Sequence, residues 1–163
     1  MTDSSSFSSK IINDEISVYT LTNENGIEAQ FTNFGATILS LIIPTKNGKI
    51  DVILGFESVE EYIKAFRIGA SPYFNCVVGR FAGRIKNAQF YLNNQLVHLD
   101  KNHGNHHLHG GNHHLSNVAW EFINYDKKNN SIMFSYLSKA NEFYSGDATI
   151  EVNYSLSEDN KLN

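Results

Sequence analysis

Residues 27–44 read IEAQFTNFGATILSLIIP, and their period governs the reading of the whole chain. Ile27, Ala29 and Phe31 alternate with Glu28, Gln30 and Thr32, which places one set on a core face and the other in water. ATILSLIIP continues as a more apolar strand that stops at Pro44. The same short, bounded runs recur in EISVYTLT (15–22), DVILGF (51–56), NCVVGRF (75–81) and AQFYLNNQLVHL (88–99). In the last of these, Asn93-Asn94 separates two alternating runs and predicts a two-residue hairpin turn, because asparagine tolerates positive φ. VAWEFINY and SIMFSYLS flank the polar DKKNN as a second hairpin. In ATIEVNYSLS, Ile150, Val152, Tyr154 and Leu156 share one face.

One segment departs from this period. SVEEYIKAF opens with Ser58 and Glu61 at capping-box spacing, and Val59, Tyr62, Ile63 and Phe66 fall on one helical face, so a short helix is expected over 58–66. Many short antiparallel strands joined by turns predict an all-β, antiparallel β-sandwich. The polar start MTDSSSFSSK carries no charged segment followed by an apolar run, so residues 1–11 are expected to be a disordered polar N-terminus and 12–163 the folded domain. At the other end, SEDNKLN opens a new run after a strand without completing a hairpin partner, and the expectation is a sandwich cut short.

Composition narrows the function classes. The 163 residues carry a net charge of −4 with scattered basic residues, which predicts no nucleic-acid partner and no anionic membrane surface. The longest apolar stretches are too short to span a bilayer. The single cysteine, Cys76, excludes an internal disulfide framework and fits a cytoplasmic, reducing location. Within FNCVVG it reads as a small buried hydrophobe rather than a nucleophile.

Six of the seven histidines lie between His103 and His114, in the stretch NHGNHHLHGGNHH. Their spacing matches no zinc motif and no cysteine lies near, so no metal is assigned. His103, His106, His113 and His114 are expected in a solvated loop, and the place of His107 is open. His109 differs because Gly110 and Gly111 follow it. Two glycines let the backbone turn tightly and hold the preceding side chain at the rim of a cleft. A neutral imidazole there donates and accepts hydrogen bonds, which suits a sugar hydroxyl or ring oxygen.

The second feature is GRFAGRIKNAQF, with Arg80 and Arg84 four residues apart. A guanidinium keeps its charge wherever it is placed, so each needs partners or a ligand. Bridging loops is one reading, and forking around a hydroxyl-rich ligand is the other. On spacing alone, neither prevails.

Together, NFGATILSLIIP, DVILGF, VVGRFAGRI, NHHLHGG, VAWEF and NEFYSGDATIEVNYSL resemble the aldose 1-epimerase (galactose mutarotase) family in order and spacing, from about residue 12 onward. The resemblance implies a large β-sandwich, the galactose mutarotase-like supersandwich, with a sugar cleft on its concave sheet. It implies interconversion of the α and β anomers of free hexoses such as galactose and glucose, without cofactor. Carried over by motif, Arg84 matches the arginine that grips substrate hydroxyls. His109 matches the histidine that contacts the sugar near its ring oxygen and supports catalysis. Gly83 stands where many members have asparagine, so a substrate contact there is absent or made by backbone alone. The family's acid histidine and glutamate base are expected beyond residue 163. The competing readings are a non-catalytic sugar-binding or sugar-sensing protein of the same fold and a hexose-6-phosphate epimerase. The latter would draw on Arg80, Arg84 and Lys86 to hold phosphate.

Overall fold

Strands form where alternation is strict and a partner lies within a short turn. The computed structural model describes residues 5–69, 71–141 and 143–163. Strands β1 (Ser6–Ile11), β2 (Ser17–Thr22), β3 (Glu28–Thr32), β4 (Thr37–Thr45) and β5 (Gly48–Asp51) make one antiparallel sheet in chain order. Helix α1 (Val59–Arg67) follows. Next come β6 (Arg84–Ile85), the hairpin β7 (Gln89–Leu92) and β8 (Gln95–His98), and β9 (His107–Leu108), which pairs with β6. A three-stranded antiparallel sheet of β10 (Glu121–Asp126), β11 (Ser131–Ser138) and β12 (Ala148–Ser155) completes the order. No helix among the described residues is long and apolar enough to cross a membrane.

The five-stranded and three-stranded sheets face one another over one core. Tyr19, Leu21, Ala29 and Phe31 pack against Trp120, Ile132, Phe134 and Leu156, all buried. Tyr19 stacks on Phe122 at 4.5 Å and Phe31 on Tyr154 at 4.9 Å, so the inner faces interdigitate as in a β-sandwich. Each such side chain contributes about 1.5–3 kcal/mol by leaving water. On the opposite face of the larger sheet, Val59 and Tyr62 of α1 join Ile16 and Phe34, with Val18 and Leu39 against them. Ser58 caps the helix by accepting from the Glu61 N–H, whereas the Glu61 carboxylate accepts from the Glu57 N–H, one residue before the cap. The expected helix is therefore present, with the reciprocal half of its capping box displaced by one residue.

Three expectations need correction. Residues 6–11 are a strand, not a disordered tail: Phe7 pairs opposite Leu21 and stacks on Tyr125 at 4.5 Å, so one aromatic anchors an otherwise exposed segment. Residues 1–4 lie outside the described residues. DVILGF is no strand beyond Asp51, because the Asp51 carboxylate accepts from the N–H groups of both Leu41 and Ile53 and turns the chain away. NCVVGRF forms no strand either. Tyr73 and Asn75 have positive φ, and the segment makes single bonds to several elements: Ile38 N–H to Asn75 C=O, Val77 N–H to Gly35 C=O and Leu115 N–H to Gly79 C=O. Both predicted hairpins are present, and Asn93 and Asn94 adopt φ of 49° and 61°.

The turn at Asn33–Gly35 joins these parts. The Asn33 side chain accepts from the Ser17 N–H and donates to the carbonyls of Glu15 and Trp120. Gly35 donates to Val118 and accepts from Val77. Its φ is +63°, and a Cβ there would lie 2.5 Å from the Ser116 carbonyl oxygen. Gly35→Ala should therefore lower stability by about 2–4 kcal/mol, against about 1–2 kcal/mol for Gly104→Ala, whose φ is also positive but whose surroundings are open. Urea unfolding midpoints of the two variants check this ordering.

Candidate functional site

Pairing of β6 with β9 sets Arg84 opposite Leu108 and Ile85 opposite His107. The Asn102 side chain holds the free side of this short ladder, donating to the Leu108 carbonyl at 2.8 Å and accepting from the Leu108 N–H at 2.7 Å. Directly after Leu108 the chain makes three left-handed residues in succession, His109 (φ 51°), Gly110 (φ 91°) and Gly111 (φ 76°). A Cβ on Gly110 would collide with the Gly79 carbonyl, and one on Gly111 with the Asp100 carboxylate. The glycine pair is thus required by close approach as well as by φ.

This turn folds His109 back onto Gly83. The His109 N–H donates to the Gly83 carbonyl at 3.0 Å, and the Gly83 N–H donates to His109 Nδ1 at 3.2 Å. A ring nitrogen that accepts is the unprotonated one, so the neutral imidazole carries its proton on Nε2. Burial and, second, the neighbouring Arg84 charge hold His109 below the usual histidine pKa, which favours that neutral form. Tyr73 packs against the ring at 4.8 Å between centroids. The result is an imidazole fixed in place with a donor on its outer nitrogen.

The three residues singled out from the sequence come together here. The Arg84 guanidinium is exposed beside His109 and makes no hydrogen bond or ion pair to another described residue, so its fork is free for a ligand. Gly83 acts on His109: its single donor is engaged by Nδ1, which leaves no N–H for a substrate. Space around its Cβ position is open. Arg80 has the structural role. Its guanidinium donates to the Ser138 hydroxyl and to the carbonyls of Gly146, Ser138 and Lys139, and lies 4.7 Å from the centre of the Tyr144 ring.

Beneath the turn runs a buried polar chain that the sequence did not disclose. His107 is fully buried, with Nδ1 3.0 Å from both the Asp100 carboxylate and the Asp100 carbonyl. Its Nε2 lies 3.4 Å from the Tyr144 hydroxyl, which donates to the Gly110 carbonyl at 3.2 Å. The second Asp100 oxygen accepts from the Asn112 N–H at 2.5 Å. Burial and the Asp100 charge push Tyr144 up to about 12, partly offset by Arg80, so it stays a phenol. The only hint in the sequence was that Asp100 is the one carboxylate near the cluster.

The remaining histidines divide. His103 and His113 are exposed, as a solvated loop requires. His106 accepts from the Asn87 N–H at 3.1 Å. His114 is a correction: it is 9% exposed and packs against Phe66 and Tyr73, because Leu115 beside it enters the core and draws the loop inward. Among the described residues, no three His, Cys, Asp or Glu side chains converge into a metal-binding group. Burial raises the Cys76 thiol above its ordinary pKa, consistent with a packing residue.

Comparison with known proteins gives one consistent result. The family model described as aldose 1-epimerase matches residues 17–163. The chain is 36% identical over 144 residues to the aldose 1-epimerase of Haemophilus influenzae, covering 88% of this chain and 40% of that protein. Among solved structures it is similar to an aldose epimerase homologue from C. elegans, with a TM-score of 0.75, 30% identity, 98% of this chain and 44% of that one. It is likewise similar to the galactose 1-epimerase of Lactobacillus acidophilus NCFM, with a TM-score of 0.80, 25% identity, 99% of this chain and 47% of that one. The chain thus spans less than half the length of each.

The geometry sets a titration behaviour. By NMR, the His109 midpoint should lie below about 6.5, and Arg84→Met should raise it without fully restoring that value, since burial is the larger cause. His109 and His114 are both depressed, so the stability tied to their neutral forms is present above about pH 6.5 and is lost as pH falls through their folded values. A His109 midpoint above 6.5 would contradict this arrangement.

Proposed function

The chain belongs to the aldose 1-epimerase family, and from that premise we propose that it supplies the substrate-gripping part of an enzyme that interconverts the α and β anomers of free hexoses such as galactose and glucose. One observation carries the reading: the Gly83 N–H fixes the His109 tautomer so that Nε2–H faces outward beside the Arg84 guanidinium, which has no partner among the described residues.

The chemistry needs little more than placed donors and two proton carriers. A base removes the proton from the C1 hydroxyl and an acid protonates the ring oxygen. The C1–O5 bond breaks as C1=O1 forms, the open aldehyde rotates about C1–C2, and reclosure reverses the transfers on the other face. Arg84 would hold sugar hydroxyls through its planar fork. His109 Nε2–H would donate to the ring oxygen, where negative charge grows during opening. Its depressed pKa keeps it neutral and suits it to donate a hydrogen bond. Asp100 is engaged by His107 and Asn112 beneath the turn, so it is no candidate for the base. The acid and base are proposed to come from the portion of the family fold that these 163 residues do not match.

The free-hexose reading is favoured over a hexose-6-phosphate. Arg80, one of three cations that would hold phosphate, has its donors on four hydrogen bonds within the fold.

Galactose should bind this chain weakly, and Arg84→Ala should weaken binding about tenfold or more, as loss of charge-assisted hydrogen bonds does. Gly83→Asn should fold with little cost, since asparagine tolerates φ of +75° and the space is open, and should tighten galactose binding by adding a side-chain contact. Exchange spectroscopy between the α- and β-galactose signals should show no acceleration by the chain alone. Clear turnover would place the acid and base within residues 1–163 instead.

A further inference from the structure

Behind Tyr73 the surface sinks into a pocket of about 260 Å³ whose walls include Phe66, Ser71, Tyr73, Asn112, His114 and Asn117. That leaves room for a single sugar ring. Among the described residues, no Lys, Arg, Asp or Glu lines it. His114 is buried among these residues, and its Nδ1 has no hydrogen-bond partner among the described residues. Buried ring nitrogens are rarely left so. Burial and the nearby His109 keep the imidazole neutral, and with Nδ1 closed off from solvent it meets a ligand in the pocket through Nε2.

The walls discriminate between ligand classes. Without a cation, the pocket has no means to hold phosphate or carboxylate. With one imidazole and no thiolate or carboxylate, it lacks a ligand set for a metal. An aliphatic ligand would leave His114 unpaired and desolvated. A ring bearing hydroxyls on its rim and C–H groups on its faces fits both demands. Phe66 and Tyr73 present an apolar, mutually perpendicular wall, with centroids 5.3 Å apart at 84°, and the serine, asparagine and histidine side chains supply the polar partners. Tyr73 is also the partition with the neighbouring site, its ring 4.8 Å from His109 on one side and 5.5 Å from His114 on the other.

We propose that this pocket binds a glycosyl unit, a neutral hydroxyl-bearing ring, with His114 as its central hydrogen-bonding residue, next to the Arg84–His109 pair. It rests on the reading of that pair as a sugar site only for what lies on the far side of Tyr73.

The test titrates the 163-residue chain with galactose and, separately, with maltose, following the ring signals of His109 and His114 by NMR. The expected result is a saturable shift of His114 whose affinity falls about tenfold in Asn117→Ala, and the same loss in His114→Phe, read there by calorimetry because that variant has no ring signal at 114. Asn117 is exposed, so its substitution leaves the fold intact. A His114 shift with both sugars supports a site for a free ring, and a shift with maltose alone supports a site for the second ring of a reducing disaccharide. Movement of His109 with His114 silent would overturn the pocket and leave the proposed function standing. A His114 shift that persists in Arg84→Ala would support the pocket even if galactose binding at Arg84 failed. Unchanged affinity in both pocket variants would overturn it.

Discussion

The candidate site depends on one steric fact: the backbone at Gly110 crosses the Gly79 carbonyl so closely that no side chain fits between them. This crossing brings two segments remote in sequence into register, the irregular run that ends in Arg84 and the turn that carries His109. Around it the bonds are short and specific. Leu115 donates to the Gly79 carbonyl, the Ser116 hydroxyl to the Val77 carbonyl, and Val77 to Gly35. Through Gly35 and Asn33 the crossing is tied to Trp120 and the β2–β3 edge, the packed part of the sandwich. The site therefore takes its rigidity from the core although its own strands, β6 and β9, are two residues each. Short ladders of this kind are too weak to hold a side chain alone.

Charge is arranged by the same economy. Two arginines four residues apart have opposite surroundings. Arg80 turns toward carbonyls at the ends of β11 and β12 and lies over Tyr144, whereas Arg84 projects from β6 with no protein partner among the described residues. His107 and His109 are equally divided. The first is buried between Asp100 and Tyr144, and the second emerges with one nitrogen fixed by Gly83. A buried network that satisfies its members stiffens its surroundings. Here it ends on the Gly110 carbonyl, one residue from the imidazole it supports.

Much of this was legible in the sequence wherever local signals agree. Period two predicted the two hairpins and the facing core strands, and capping residues predicted α1. The run before Gly110-Gly111 pointed to His109. Reading failed where a side chain overrode the period, as Asp51 does by turning DVILGF out of the ladder, or where one aromatic sufficed, as Phe7 does in pinning β1. It also failed where the outcome depends on distant partners. Nothing local separates Arg80 from Arg84, or His114 from the exposed His113, because their environments are built by Ser138, Gly146, Phe66 and Tyr73. At Gly83, where a substrate contact was expected to be absent or made by backbone alone, the N–H is spent on His109 Nδ1, a partner that no local signal names.

The backbone of Gly83 selects the tautomer through which His109 would meet a ligand. Nitrogen-15 NMR of the chain near neutral pH reads this directly, since protonated and bare ring nitrogens resonate far apart. A neutral His109 with Nδ1 bare and the proton on Nε2 is expected. A ring protonated on Nδ1 would mean that the Gly83 bond is not made, and the site as described would not exist.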